Sequence, residues 1–147
     1  MTQRTAPPFR ADHVGSLLRT APLKEARAKR EKGEISDSDL KAIEDREVAA
    51  IVRRQEDVGL KAVTDGEFRR AFWNYDFLGA LPGVEAYLGE RKIRFQGVNP
   101  KPMMLRVVGR LGRFSGHPML EHFRFLKDRA RAIPKMTIPS PSSLHFR

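Results

Sequence analysis

Cysteine is absent from all 147 residues. Its absence removes disulfides, cysteine nucleophiles and every thiolate metal site from what this sequence can build by itself. Long apolar runs are missing too, since no stretch approaches the roughly 18 uninterrupted apolar residues of a membrane helix. Met1 to Arg10 is polar and proline-bearing where a secretory leader needs an apolar core. The expectation is a cytoplasmic protein with no membrane partner. Acidic residues become scarce toward the C-terminal end. Residues 91–147 hold 13 Lys/Arg against only Glu121 and Asp128, whereas residues 1–90 hold 15 against 16. The net charge of +10 is therefore one-ended. Such an excess suits a phosphate-rich partner, a solvated face, or a surface that meets acidic groups elsewhere in a larger protein. Zinc-finger spacing, an RNP-like aromatic strand and a recognition-helix unit are all missing, so nucleic acid is not the expected partner.

What is present fits a folded chain. Hydrophobic residues make up 40% and charged residues 31%, the balance of a globular protein, and the length suits a single domain over residues 1–147. Phe9 to Arg10 and then Val14 to Leu18 read as a first strand and its exit. Pro22 to Lys32 reads as a helix, with Pro22 suited to its first turn and Gly33 to its end; Leu23, Ala26 and Ala28 look too few and too small to bury much. Ser36 to Val58 is the strongest element. Ser36 is a natural N-cap, Asp37 and Asp39 sit where the helix dipole favours negative charge, and Leu40, Ile43, Val48, Ile51, Val52 and Val58 follow a helical stripe. Gly59 ends it, and Leu60 to Thr64 forms a strand. Further strands are expected around Met104 to Val108 and at Met136 to Ile138, with a helix over Pro118 to Ala132. Phe68 to Leu81 is aromatic-rich and reads as helix or loop.

Two short segments carry the chemistry: His13-Val14-Gly15-Ser16-Leu17-Leu18-Arg19 and Val63-Thr64-Asp65-Gly66-Glu67-Phe68-Arg69-Arg70. In each, an apolar run delivers glycine with a hydroxyl or a carboxylate at a strand end, which is how parallel α/β folds present groups to a ligand. A carboxylate and a hydroxyl at neighbouring strand ends suit the amine and the carboxylate of a zwitterion. Asp65 reads as a partner of loop backbone amides. His13 has no second ligand at metal spacing and reads as structural. Trp73, Tyr75 and Phe77 form either core or an aromatic wall, and Arg69 and Arg70 read as surface or salt-bridging residues.

These two segments resemble the cobalamin-independent methionine synthase family, in its C-terminal catalytic barrel and the short single-barrel relatives. So do the Glu47 to Thr64 helix and strand, and the run from His117-Pro118-Met119 to Pro134-Lys135-Met136-Thr137-Ile138-Pro139-Ser140-Pro141. The resemblance implies an α/β fold of the TIM-barrel type. It implies a methyltransferase of methionine biosynthesis that moves a methyl group from 5-methyltetrahydrofolate to a thiol such as homocysteine, with zinc bound to the thiol. It also implies that Val14, Gly15 and Ser16 hold the amino-acid part of the thiol substrate and that Glu67 pairs with its ammonium group.

The departures are as informative. The family's zinc ligands are His, Cys, Glu and Cys from later strands, and this chain has no cysteine. Thr20 stands where relatives tend to have proline, and Asn74 where they often have histidine. An eight-stranded barrel needs about 250 residues, so the expectation is an incomplete barrel, roughly its first half, with the C-terminal half as a possible partner. Three functions stay open: half of a thiol methyltransferase, a non-catalytic remnant or subunit binding a small amino acid, and a basic nucleic-acid-binding module.

Overall fold

The structure, a computed structural model, describes residues 4–89 and 102–145. Among these residues are four helices, α1 (Ala21–Glu31), α2 (Asp37–Asp57), α3 (Tyr75–Leu78) and α4 (Pro118–Arg129), and four short strands, β1 (Ala62–Val63), β2 (Val84–Leu88), β3 (Met103–Val107) and β4 (Ile133–Pro134), in the order α1-α2-β1-α3-β2-β3-α4-β4. They form two compact units: Met1–Arg69 with Glu121–Thr137, and Arg70–Leu120 with Ile138–Arg147.

The first unit is built on α2. Ser36 Oγ accepts the N–H of Asp39, and Asp39 accepts the N–H of Ser36 in return, a reciprocal capping box that satisfies two otherwise orphaned donors. The buried face of α2 carries Glu44, Val48, Val52 and Gln55, spaced by four, four and three residues as one helical face requires. Val58 belonged to the expected stripe, yet it lies past the last helical turn and is 77% exposed. Leu23 and Ala26 of α1 are buried, so this helix contributes more than its small apolar content suggested. Leu23, Val48, Val52, Val63, Phe68 and Leu126 make the core, and Leu17, Ile51, Phe123 and Phe125 pack around it.

β1 and β4 pair in parallel, Ala62 opposite Ile133 and Val63 opposite Pro134. The N–H groups of Ile133 and Lys135 donate to the carbonyls of Lys61 and Val63 at 3.1 and 2.8 Å. Pro134 falls between these two donors, at a position where the ladder needs no N–H toward β1. The strand expected at Met136 to Ile138 thus lies a few residues earlier, and that expected at Leu60 to Thr64 shortens to two residues.

Val14 to Leu18 does not form a ladder strand. Gly15 has φ +91°, outside the extended region, and the backbone bond to the neighbouring segment is the Leu17 N–H to Gly66 carbonyl, 3.1 Å. Side chains take up the slack. His13 Nε2 meets the Gly15 carbonyl at 2.7 Å, and Lys135 Nζ bonds both Asp12 Oδ1 and the carbonyl of His13.

Glu56 joins α2 to the approach to β4. It accepts the N–H groups of Arg131 and Ala132 at 2.6 and 2.9 Å and the Arg131 guanidinium at 3.0 Å. Burial pushes its carboxyl up, but the two N–H groups and the guanidinium together bring it below the usual glutamate value of 4.5. A depressed carboxyl stabilises the fold above its unfolded pKa, and that contribution is lost as pH falls through the folded value. Denaturant titrations at stepped pH should therefore show stability falling from about pH 4.5 downward. In Glu56→Gln that acid-dependent loss should be smaller, and an unchanged acid limb would refute the assignment.

In the second unit β2 and β3 pair antiparallel, Val84 opposite Val107 through Leu88 opposite Met103. The strand near Met104 was expected in a parallel sheet. It is instead one arm of an antiparallel ribbon, whose other arm carries the weak apolar pattern Val84-Glu85-Ala86-Tyr87-Leu88. The aromatic segment contains only the one-turn α3. Phe77, Phe114 and His117 pack ring on ring at 4.5 to 5.7 Å, while Trp73 is 61% exposed. His117 accepts the Met119 N–H at Nδ1 (3.1 Å) and so presents Nε2–H to the Phe77 carbonyl (2.9 Å).

Candidate functional site

The site lies in the first unit, where β1 runs out into Thr64-Asp65-Gly66-Glu67-Phe68. The sharp turn here is made by local side chains. Thr64 Oγ1 accepts the Gly66 N–H at 3.1 Å, and Asp65 Oδ1 accepts the Glu67 N–H at 2.8 Å. Both turns follow the pattern by which short polar side chains stand in for backbone. Gly66 has φ +66° and Glu67 φ +56°. At Gly66 an added Cβ would also come within 3.1 Å of the Phe68 ring. Glu67 is the non-glycine residue in this left-handed conformation, which costs about 1–2 kcal/mol and persists only where surroundings over-determine it. Arg19 donates to the Glu67 carbonyl and Arg27 to that of Phe68, and the Phe68 side chain is fully buried below.

The outcome of this wiring is the position of one carboxylate. Glu67 is 7% exposed. Ser16 Oγ donates to its Oε2 at 2.6 Å, and Thr137 Oγ1 donates to its Oε1 at 2.9 Å. Ser16 and Glu67 are thus brought together across 51 residues of sequence. Gly15 supplies the bend before Ser16, and Val14 is 75% exposed with no part in the core.

Around this loop lies a group of paired, partly buried charges. Arg69, whose side chain is 5% exposed, meets Glu44 at 3.3 Å and also pairs with Asp45, while Arg27 meets Glu44 at 3.5 Å. Burial pushes the Glu44 carboxyl up, against the pull of Arg69 and Arg27. Asp45 is raised by burial but brought below its ordinary value by Arg69 and Lys41 together. Arg69 is therefore a salt-bridging residue of the interior, with the Phe125 ring 5.0 Å from its guanidinium.

The zinc that the resemblance implies finds no matching donor set in these residues. The chain has no cysteine, and no three His, Asp or Glu side chains gather at metal-binding spacing among the described residues. His13 is occupied with the Gly15 carbonyl. Asp65 bonds the loop amide, as its place in the turn led us to expect.

Two residues of this region escape a reading of the sequence. Gln55 lies on the buried face of a helix and reads as an ordinary polar residue, yet its amide bonds both backbone groups of Thr64. Thr137 carries the same signal as Ser16, a hydroxyl just after an apolar run, but reads simply as part of a strand.

The fold is α/β, with a parallel strand pair whose exit delivers a carboxylate to two hydroxyls. Residues 9–105, which include Val14, Gly15, Ser16 and Glu67, match the family described as cobalamin-independent synthase, catalytic domain. The chain belongs to this family. It is 51% identical over 146 residues to the uncharacterized protein YxjG of Bacillus subtilis, covering 99% of this chain and 38% of that protein. It is 34% identical over 113 residues to a 5-methyltetrahydropteroyltriglutamate–homocysteine methyltransferase of Synechococcus, covering 68% of this chain and 15% of that protein. Among solved structures, one from Listeria monocytogenes, provisionally assigned as a vitamin-B12-independent methionine synthase, superposes with a TM-score of 0.78 at 44% identity. The match covers 95% of this chain and 38% of that one. The chain thus spans well under half the length of these relatives. No helix among the described residues is long and apolar enough to cross a membrane.

Proposed function

We propose that this chain forms roughly the first half of a (β/α)8 barrel methyltransferase of methionine biosynthesis and holds the amino-acid end of a homocysteine-like thiol. In this reading Glu67 pairs with the substrate ammonium. Ser16, whose hydroxyl turns from Glu67 to the ligand as the ammonium takes its place, meets the substrate carboxylate together with the backbone of Val14 and Gly15. The methyl donor is a 5-methyltetrahydrofolate-type compound, and further polypeptide completes the barrel. The single observation that carries the reading is the 2.6 Å contact between Ser16 and Glu67. It gathers at one point the carboxylate and the hydroxyl that a zwitterion needs, and both residues lie within the family match. The chain's own residues bind and orient. Since they do not fit a zinc site, activation of the sulfur is not assigned to them.

Calorimetric titration of the 147-residue chain with L-homocysteine and L-methionine tests this reading. Saturable binding of both is expected. Glu67→Gln keeps the shape and removes the charge, so it should weaken binding about 30-fold, the equivalent of about 2 kcal/mol. Absence of binding by the folded chain, or an unaffected Glu67→Gln, would sink the proposal.

A further inference from the structure

Residues 12–16 carry Ser16 to Glu67, yet no sheet ladder holds them. Asp12, Val14 and Ser16 are exposed, so little apolar burial fixes their course. Just after them the Leu17 N–H bonds the Gly66 carbonyl at 3.1 Å. Ahead of Ser16 the fastening comes from a side chain near the other end of the sequence. The Lys135 ammonium bonds Asp12 Oδ1 at 2.6 Å and also the His13 carbonyl, and the His13 ring in turn takes the Gly15 carbonyl at 2.7 Å. Lys135 is itself anchored. Its N–H donates to the Val63 carbonyl at 2.8 Å, which ties it to the strand that runs out into Glu67. One residue thus refers the Ser16 segment to the same strand that places Glu67. Segments held by few contacts and little burial are those that open locally while the rest of a domain stays folded.

We infer that residues 12–16 form a strap that swings off Glu67 to admit an α-amino acid and closes on it afterwards, and that Lys135 is the positioning residue that fastens this strap. The inference rests on the site reading above, in which the Ser16 hydroxyl leaves Glu67 as an ammonium arrives. Lys135 acts through the strap and not on the ligand. Its pair with Asp12 is partly open to solvent, with side chains 26% and 42% exposed, and is correspondingly screened. The bond to the His13 carbonyl is partly buried and is the firmer anchor. A lysine that served only general stability would loosen the strap and the rest of the first unit together.

Amide hydrogen exchange resolved by NMR on the 147-residue chain tests this. Leu17 reports the strap. Thr64, whose N–H is held by the buried Gln55 side chain, reports the rest of the first unit. Lys135→Met keeps the apolar stem and removes the ammonium. It should speed Leu17 exchange about tenfold and leave Thr64 within about twofold of wild type. Lys135→Arg restores the charge and should return most of the protection. Asp12→Ala removes only the screened partner and should speed Leu17 exchange about threefold; it carries the comparison should Lys135→Met not fold by circular dichroism. Saturating L-methionine, which closes the strap, should slow Leu17 exchange about tenfold in the wild-type chain. Equal acceleration at both amides, or none at Leu17, in folded variants overturns the inference and leaves the site reading standing. So does methionine that binds by calorimetry without slowing Leu17. A wild-type chain that binds no methionine overturns the site reading and this inference together, and it shows before any substitution is made.

Discussion

Replacing Phe68 by alanine should unfold the first unit at room temperature or bring it close to unfolding. The Phe68 ring is fully buried among Leu23, Val48, Val52, Val63 and Leu126, and truncation of a buried phenylalanine costs about 3–5 kcal/mol through lost burial and the cavity left behind. Total stabilities of domains are about 5–15 kcal/mol, so one such loss consumes much of the margin. The consequence extends to the site. Phe68 directly follows Glu67, and its ring lies beneath Gly66, so it anchors the turn that holds Glu67 in its left-handed conformation. Urea unfolding followed by circular dichroism would measure the loss. A change below about 1 kcal/mol would mean that the cluster around Phe68 is not the core described here.

Gln55→Leu is expected to cost about 3 kcal/mol, although it exchanges a polar residue for an apolar one of similar size in a buried position. Gln55 is 4% exposed. Its Nε2 donates to the Thr64 carbonyl at 2.8 Å and to that of Ile51 at 3.2 Å, and its Oε1 accepts the Thr64 N–H at 3.0 Å. The side-chain amide therefore serves Thr64 as an adjacent peptide would in a sheet. Leucine would leave the buried N–H and C=O of Thr64 without these partners, and each orphaned group costs about 1–3 kcal/mol. Hydrogen exchange at the Thr64 amide should accelerate along with the global loss measured in urea. A neutral or stabilising Gln55→Leu would show that the amide is dispensable and that apolar packing alone positions β1. Because Thr64 opens the turn leading to Glu67, the variant should also weaken amino-acid binding.

The features legible in the sequence were those whose causes are local. Ser36, Asp37 and Asp39 cap α2 within four residues, and Val48 and Val52 lie on a single helical face, so short-range rules suffice for that helix. Gly66 and Asp65 likewise signal a turn, and the resemblance around Ser16 and Glu67 led to the family. Other features depended on groups far apart in the chain. The extended pattern of Val14 to Leu18 could not reveal that Gly15 would turn to positive φ, or that the His13 ring would take the Gly15 carbonyl and Lys135 that of His13. The apolar run near Met104 suits either strand orientation, and only its partner Val84–Leu88 makes it antiparallel. Gln55 and Glu44 share the face of Val48 and Val52 but offer no apolar signal; what buries them is the Thr64 backbone in one case and Arg69 with Arg27 in the other. By itself the sequence determined the long helix, the turn before Glu67 and the family. Tertiary structure decided that hydroxyls 51 and 70 residues away would close on the two oxygens of Glu67, because a hydrogen bond between distant segments leaves no periodicity in the chain to announce it.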